Sequence, residues 1–522
     1  MRIASLSDFL LQRIDRGGKA GTPRKAVNRQ IYQVIREAIL DQSLPAGLQL
    51  PSSRYLALEL GVSRNTVTYA YDQLLAEGFL ESRMGAGTFV ADTEPERIAA
   101  AATPDRAGAT PERDAGQRIH TGLSARGSQL VGLAGVGETQ WGAFMPGVPD
   151  VTQFPNRIWS RLQNKYWRRS RADLLTYSCG GGYLPLREAI ADYLRVARSV
   201  NCDASQILIT TGIHQSIDLV ARMVCDHGDH AWVEDPCYWG TRSVLRSVGV
   251  HTVAIPVDGE GMQLPLEDSR HPPRLIVATP SHQYPLGMVM SLARRRALLE
   301  YAAAHKAWIV EDDYDSEFRY GSRPIASLQG LDAHDRVLYL GTFSKTLFPG
   351  LRIGYLVVPG TLAESFATGL SELYRCGHTY TQAILTDFMT EGHFASHIRR
   401  MRLVYAERLR LLREAISFHF GDRIILTGGE AGLHLALGLP DHCDDIALCH
   451  AAGKEGIVVR PLSRYYLRPE TARRGLMLGY GSVPDERIRP AFDILASVIK
   501  AHWPEWQAQA GRGVPALEPA LG

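Results

Sequence analysis

The chain has 522 residues, 45% of them hydrophobic and 21% charged, values of a soluble globular protein rather than a disordered or fibrous one. Domains usually hold about 100 to 200 residues, so this length requires at least two, one of them large. A net charge of +2, from 57 Lys and Arg against 55 Asp and Glu, leaves no global field to draw the molecule to nucleic acid, membrane or acidic substrate, and any such attraction has to be local.

In chain order, Ile31, Val34, Ile35, Ala38 and Ile39 recur at helical spacing and predict a helix that stops before Pro45 and Gly47. A second helix starts at Pro51-Ser52-Ser53, carries Leu56, Ala57 and Leu60 on one face, and ends at Gly61. Ser63 can cap a third, which runs through Val67, Ala70, Leu74 and Leu75 to Glu77 and Gly78. Strand-like pieces at 79–83 and 88–90 flank the turn Met84-Gly85-Ala86-Gly87. Helix, helix, tight turn, helix and hairpin is the order of a winged helix-turn-helix. The third helix opens with Arg64-Asn65-Thr66-Val67-Thr68, whose guanidinium, amide and hydroxyl groups reach phosphates and base edges when a helix N-terminus enters the major groove. Residues 13–36 hold Arg13, Arg16, Lys19, Arg24, Lys25, Arg29 and Arg36 against Asp15 alone. Taken by itself, such a run fits a solvated basic face as well as a DNA-facing one.

Between residues 93 and 127 the chain turns rich in Ala, Pro, Gly and charge with no apolar periodicity, and about 35 such residues read as a linker. Beyond it, helices predicted at 186–198, 213–226, 239–247, 292–305 and 361–375 alternate with apolar runs at 206–210, 230–234, 251–257, 274–279, 307–311, 336–340 and 353–358. That alternation predicts an α/β domain with a mainly parallel sheet. After residue 394 a long helix and then mixed strands and helices suggest a smaller C-terminal α/β subdomain, and the tail from about 504 is weakly patterned. The predicted organisation is therefore 1–92, linker 93–127, 128–502 and tail 503–522. Seven cysteines at 179, 202, 225, 237, 376, 443 and 449 include no CxxC pair, so they read as free thiols of a reducing cytoplasm. Cys443, Cys449 and His450 lack the spacing of a structural zinc site, and no metal is expected. No stretch is long and apolar enough for a membrane span.

The chemistry concentrates between residues 311 and 355. EDDYDSEFRY and GTFSKTLFPGLRIGY each follow an apolar strand, where α/β folds place ligands. Lys345 can form a Schiff base with an aldehyde cofactor, and Arg352 offers a permanent cation to a phosphate. A carboxylate such as Asp312 would keep a pyridine nitrogen protonated, and Tyr314 can hydrogen-bond a phenolic oxygen. Upstream, Thr211-Gly212-Ile213 joins a strand to a helix, with backbone N–H groups available to a phosphate. Singly, each of these is also compatible with a surface lysine or an ordinary helix start.

Two resemblances join these parts. LPSSRYLALELGVSRNTVTYAYDQLLAEGFLESRMGAGTFV, residues 50–90, closely resembles the winged helix of GntR-type transcription regulators. It implies that Arg54 contacts phosphate, that Ser63, Arg64 and Thr66 meet the major groove, and that Gly85 of the wing approaches the backbone of a double-stranded DNA operator. The region 128–502 resembles the fold-type I aminotransferases, in Tyr177-Ser178 with Gly180-Gly181-Gly182 and Leu186-Arg187, in Asp235-Pro236-Cys237-Tyr238, in Tyr284-Pro285-Leu286-Gly287 and in the two segments above. This implies pyridoxal 5'-phosphate (PLP) as cofactor. Lys345 is then the Schiff-base lysine, Asp312 the pyridinium partner, Tyr314 the partner of the ring oxygen O3', Tyr238 the stacking ring, and Arg352 and Thr342 phosphate ligands. Tyr284 departs from that pattern by replacing the Asn that also bonds O3', a contact either lost or supplied by neighbours such as His282 or Gln283. Met477 replaces the Arg that clamps a substrate carboxylate, leaving Arg460 and Arg464 as the nearest substitutes.

A GntR-like head linked to an aminotransferase-like domain is the layout of the MocR subfamily, which the whole chain resembles. That resemblance implies a homodimeric, cytoplasmic, PLP-dependent transcription regulator that senses an amine, an amino acid or PLP itself, with transaminase turnover not its main task. An active aminotransferase with a DNA-binding head and a cofactor-free repressor are the alternatives.

Overall fold

Apolar spacing places the first helix, α1 (Val27–Leu40), with Ile31, Val34, Ile35, Ala38 and Ile39 all buried along one stripe. The computed structural model describes residues 10–11, 13–14, 26–83, 85–92, 122–132, 135, 137, 139–168, 171–177, 180–265, 272–320, 325–375 and 377–502. Arg16, Lys19, Arg24 and Lys25 of the basic run, Met84, Ser178, Cys179, Cys376, residues 93–121 of the expected linker and the tail 503–522 lie outside the described residues. Two compact units divide the chain, Met1–Ile119 and His120–Gly522.

In the small unit, Ser52 Oγ accepts from Tyr55 N and starts α2 (Ser53–Leu60), which Gly61 ends in the left-handed region at φ 59°. Ser63 caps α3 (Arg64–Ala76) in the same way through Thr66 N at 3.2 Å. The wing is an antiparallel pair, β1 (Leu80–Arg83) and β2 (Gly87–Val90). Leu56, Leu60, Val67, Leu74, Phe79 and Val90 join the α1 stripe in one apolar core. Burying such side chains contributes roughly 1.5–3 kcal/mol each, and α3 is fixed by this core and its cap together.

In the large unit a helix at Ala125–Gly132 begins inside the stretch whose composition reads as linker; Ser124 Oγ accepts from Gly127 N at 3.1 Å and opens it. The main elements follow in order: α4 (Leu184–Arg198), β3 (Ile207–Thr210), α5 (Ile213–Val224), β4 (His230–Asp235), α6 (Trp239–Ser247), β5 (His251–Asp258), β6 (Gly261–Met262), β7 (Leu275–Ala278), α7 (Leu292–His305), β8 (Trp308–Asp313), β9 (Val337–Thr342) and β10 (Gly354–Val357). The sheet order is β3-β10-β9-β8-β7-β4-β5-β6. Strands β9, β8, β7, β4 and β5 pair in parallel, whereas β10 runs antiparallel to both β3 and β9. Neighbouring residues of one strand serve opposite cores: Val233 and Val310 pack on one face with Ile217 and Phe366, and Trp232 and Ile309 on the other with Leu298. Burial on both faces explains the unbroken apolar runs of these strands.

The chain continues through α8 (Ala363–Tyr374), α9 (Thr379–Thr390) and the long α10 (His393–Phe420). A second sheet of β11 (Leu426–Gly428), β12 (His434–Gly438), β13 (Arg460–Pro461) and β14 (Gly475–Gly479) is flanked by α11 (Asp445–Lys454) and α12 (Asp485–His502). Among the described residues no helix is long and apolar enough to cross a membrane.

Candidate functional site

The ends of β8 and β9, the start of α5 and the turns after β4 and β7 open into one cavity of about 1300 Å³. Asp312 from the end of β8, Tyr314 two residues on, Thr342 from the end of β9, Lys345, Arg352, Tyr238, Gly212 and Ile213 all line it, as do Arg460 of β13 and Arg464. Thr211 does not; it faces a neighbouring cleft of about 790 Å³ that shares Arg352. Its amide donates to Gln215 Oε1 at 2.6 Å, and that of Gly212 to Thr210 Oγ1 at 3.3 Å. The N–H groups left for an anion at this helix start therefore begin at Ile213, where no side chain caps α5.

Strand alternation separates the paired aspartates. Asp313 turns to the opposite face, where Arg198 Nε donates to it at 2.7 Å, while Asp312 faces the cavity. Burial pushes Asp312 up to about 8, helped by Asp313, Glu234 and Asp315 and opposed by Lys345. Its Oδ1 is buried and has no hydrogen-bond partner among the described residues. Leaving such an acceptor unmatched costs about 1–3 kcal/mol, so this position fits a ligand donor such as a protonated ring nitrogen. Lys345 Nζ donates to the Gly147 carbonyl at 2.7 Å. Burial holds the amine below the usual lysine range, against the pull of Asp315 and Asp312, and a neutral amine is the form that attacks an aldehyde. Arg352 sits in the left-handed region at φ 52°, and its guanidinium has no partner among the described residues. A methyl group on Gly212 would lie 3.8 Å from Arg352 Nη1, so cation and helix start converge where a phosphate would bind. The donor set thus fits PLP at both of its ends.

The aromatic wall is more elaborate than the sequence suggests. Tyr314 Oη lies 3.0 Å from His282 Nδ1, which is 2.9 Å from Asp315 Oδ1. Of the two neighbours considered for the lost Asn contact, only His282 reaches this group. Gln283 is buried away from it, with Nε2 donating to the carbonyls of Pro236 and Tyr284. The Tyr284 hydroxyl sits 3.3 Å from that of Tyr465, and the Tyr238 hydroxyl 3.0 Å from His214 Nε2. Met477 pairs in register with Arg460 and is fully buried in an apolar cluster with Leu286, Ala436, Leu462 and Tyr465, outside the cavity lining. Arg460 donates instead to the carbonyl of Thr139. The Gly147 carbonyl and Asp315, the partner of His282, were not singled out by sequence; for Asp315 the only signal is its place in EDDYD.

In the small unit, Arg54, Ser63, Arg64 and Gly85 are exposed and Thr66 is half-buried. The Ser63 and Thr66 hydroxyls bond each other at 2.8 Å, Arg64 Nε reaches Ser53 Oγ at 3.5 Å, and Gly85 takes φ 75° in the wing turn.

Residues 27–90 match the bacterial regulatory proteins of the gntR family, and residues 152–476 the aminotransferases of class I and II. A DNA-reading head in one chain with an aminotransferase-type domain defines a transcription regulator. The chain is 40% identical to the probable rhizopine catabolism regulatory protein MocR of Rhizobium meliloti, over 91% of this chain and 94% of that protein. It is 32% identical to the HTH-type pyridoxine biosynthesis transcriptional regulator PdxR of Corynebacterium glutamicum, over 89% and 94%. The large unit is similar to the Pyrococcus horikoshii kynurenine aminotransferase crystallised with PMP, at TM-score 0.64 and 27% identity over 73% of this chain and 95% of that one. The chain belongs to the MocR subfamily of GntR-type transcription regulators.

Proposed function

We propose that residues 128–502 bind PLP and sense an amine or amino acid, or PLP itself, and that this sets the grip of the head, residues 1–92, on a double-stranded operator. The observation that carries the reading is the unpaired Asp312 Oδ1 in the same cavity as a partly buried Lys345 amine. When bound, PLP supplies an aldehyde that condenses with amines and a ring that draws electron density from the new bond. Lys345 would hold the aldehyde carbon, Asp312 the proton on the ring nitrogen, and Tyr314, braced by His282, the phenolic oxygen. Tyr238 would stack on the ring. Arg352, Thr342 and the α5 start at Ile213 would bind the phosphate, with Gly212 allowing its close approach and Thr211 turned to the neighbouring cleft. Arg460 and Arg464 would hold an acidic group of the effector. In the head, Arg54 and Gly85 would position the DNA backbone, and Ser63, Arg64 and Thr66 would enter the groove. The working form is a cytoplasmic homodimer with two heads on segment 93–127, and the tail 503–522 has no assigned part.

Titrating amines into the PLP-loaded protein while following both the cofactor absorbance and operator affinity tests this reading. A lasting spectral shift that changes operator affinity is the expected result. Sustained keto-acid production at about 10 per second would make the protein a working aminotransferase. A Lys345→Ala protein that still answers effector normally would reduce the large unit to a scaffold.

A further inference from the structure

The inner end of the cavity matches a cofactor, but its outer part carries charge that the cofactor does not use. Residues Cys449, His450, Gly453 and Lys454 of α11 form one helix face on the cavity, at i, i+3 and i+4 spacing, and Arg460 and Arg464 also line the cavity. Both guanidinium groups pull on the Cys449 thiol, which places them beside that helix face. Among the described lining residues Asp312 is the only carboxylate, and it sits at the inner end, where burial favours its neutral form. Neither the Lys454 amine nor the Arg464 guanidinium has a partner among the described residues. Among the described residues Arg460 bonds a neutral carbonyl, that of Thr139.

Like charges gathered in a partly enclosed space repel more strongly than in open water, and an anion bound between them relieves that repulsion. One carboxylate can fork onto one guanidinium. That leaves a second guanidinium and an ammonium uncompensated. A neutral amine would leave all three.

Building on the proposed amine-sensing site, we infer that the effector carries two anionic groups besides its amine: an acidic amino acid or a phosphorylated one. One group lies on the Arg460 and Arg464 pair and the other toward Lys454 and His450. The amine points inward to Lys345.

The test uses the PLP-loaded full chain and three matched pairs: L-aspartate with L-asparagine, L-glutamate with L-glutamine, and O-phospho-L-serine with L-serine. Dissociation constants come from the cofactor absorbance and, separately, from operator affinity. The tightest binder should be an acidic member, at least about tenfold tighter than its neutral partner. Lys454→Gln should narrow that gap to about threefold or less with little change for the neutral partner, and Arg464→Gln should weaken the acidic member further. A neutral member binding as tightly as its acidic partner, or a gap that survives both substitutions, overturns the inference while leaving the site an amine sensor. If none of the six probes moves either readout, the inference and the sensing reading fall together, and if they move only operator affinity, the inference stands without the cofactor.

Discussion

Asp312 is a cavity side chain whose acidity the fold alters strongly and a bound cofactor would alter back. Its carboxyl titrates near about 3.9 in an unfolded chain and at about 8 in the folded one. Between those values the native state keeps a proton that the unfolded state has lost. The stability associated with this proton is full below about pH 4 and is lost as pH rises through about 8. Asp312→Asn removes the titration at nearly constant shape, so the melting temperature of the cofactor-free wild type should fall relative to that of the variant as pH goes from about 5 to about 8. His397 and His434, which burial pushes down to about 4 and about 3, act in the opposite direction below their ordinary range, and they cancel in this comparison. Loading PLP should flatten the wild-type slope, because a cation beside Asp312 returns its acidity toward normal. Parallel melting curves for wild type and Asp312→Asn would show that this carboxyl is not proton-loaded at neutral pH. The same substitution should also shift or abolish the bound-cofactor band, since an amide does not hold the ring-nitrogen proton as a carboxylate does.

At the level of elements, the legible parts are those that repeat. Helix α7 at Leu292–His305 and α6 at Trp239–Ser247 coincide with their predicted spans, and strand β8 starts one residue later than its predicted run and ends two residues beyond it. Those two residues include Asp312, which sequence placed at a strand end, so its position was readable to within one turn of chain. The antiparallel β10 was not, since an apolar run gives no direction and only its pairing with β3 and β9 reveals it. Least legible is the strap at 139–148. Val458 N donates to the Ala143 carbonyl at 2.9 Å, and Gly479 N to that of Phe144 at 2.8 Å, so this segment is held by backbone bonds and has no apolar period to betray it. Its glycines mark close approach instead. A methyl on Gly142 would meet Val458 Cγ2 at 2.5 Å, and one on Gly147, at φ 71°, would lie 3.0 Å from Lys345 Nζ. Gly147→Ala therefore combines backbone strain of about 1 kcal/mol with a crowded lysine amine. PLP binding, measured by absorbance titration, should weaken by about tenfold, with no change in operator binding by the cofactor-free protein. Wild-type affinity in that variant would remove the strap from the site. Helix α3 makes a contrasting case: Ser63→Ala should destabilise the head by about 1 kcal/mol through loss of the cap, seen as a lower melting temperature of the head's own unfolding without DNA.

Across the whole molecule the charge of +2 averages over unlike stretches. Residues 13–36 carry seven positive charges against one negative, while from 37 to 92 only Arg54, Arg64 and Arg83 stand against Glu37, Asp41, Glu59, Asp72, Glu77, Glu81 and Asp92. A head with so few cations beyond its N-terminal run divides its DNA work between few residues, and Arg54 and Arg64 should fail differently. Arg54, as a phosphate contact, should be worth about one released counterion per head, so Arg54→Ala in a dimer should lower the slope of log affinity against log salt by about 2 and weaken all sequences alike. Arg64, at the first turn of α3, is placed for base edges, where losing a bidentate contact costs about 1–3 kcal/mol per half-site. With the two half-sites of the proposed dimer the loss, about 2–6 kcal/mol, removes most of a margin of about 4–10 kcal/mol at its lower end, so Arg64→Ala should collapse operator preference while leaving residual non-specific affinity. Fluorescence anisotropy with operator and scrambled duplexes over a salt series separates the two. Both variants should keep the Lys345 absorption band, because the head and the cofactor site belong to separate units. A band lost in Arg64→Ala would mean that the two tasks do not divide at residues 93–127, and equal loss on operator and scrambled DNA would move Arg64 from base reader to backbone contact.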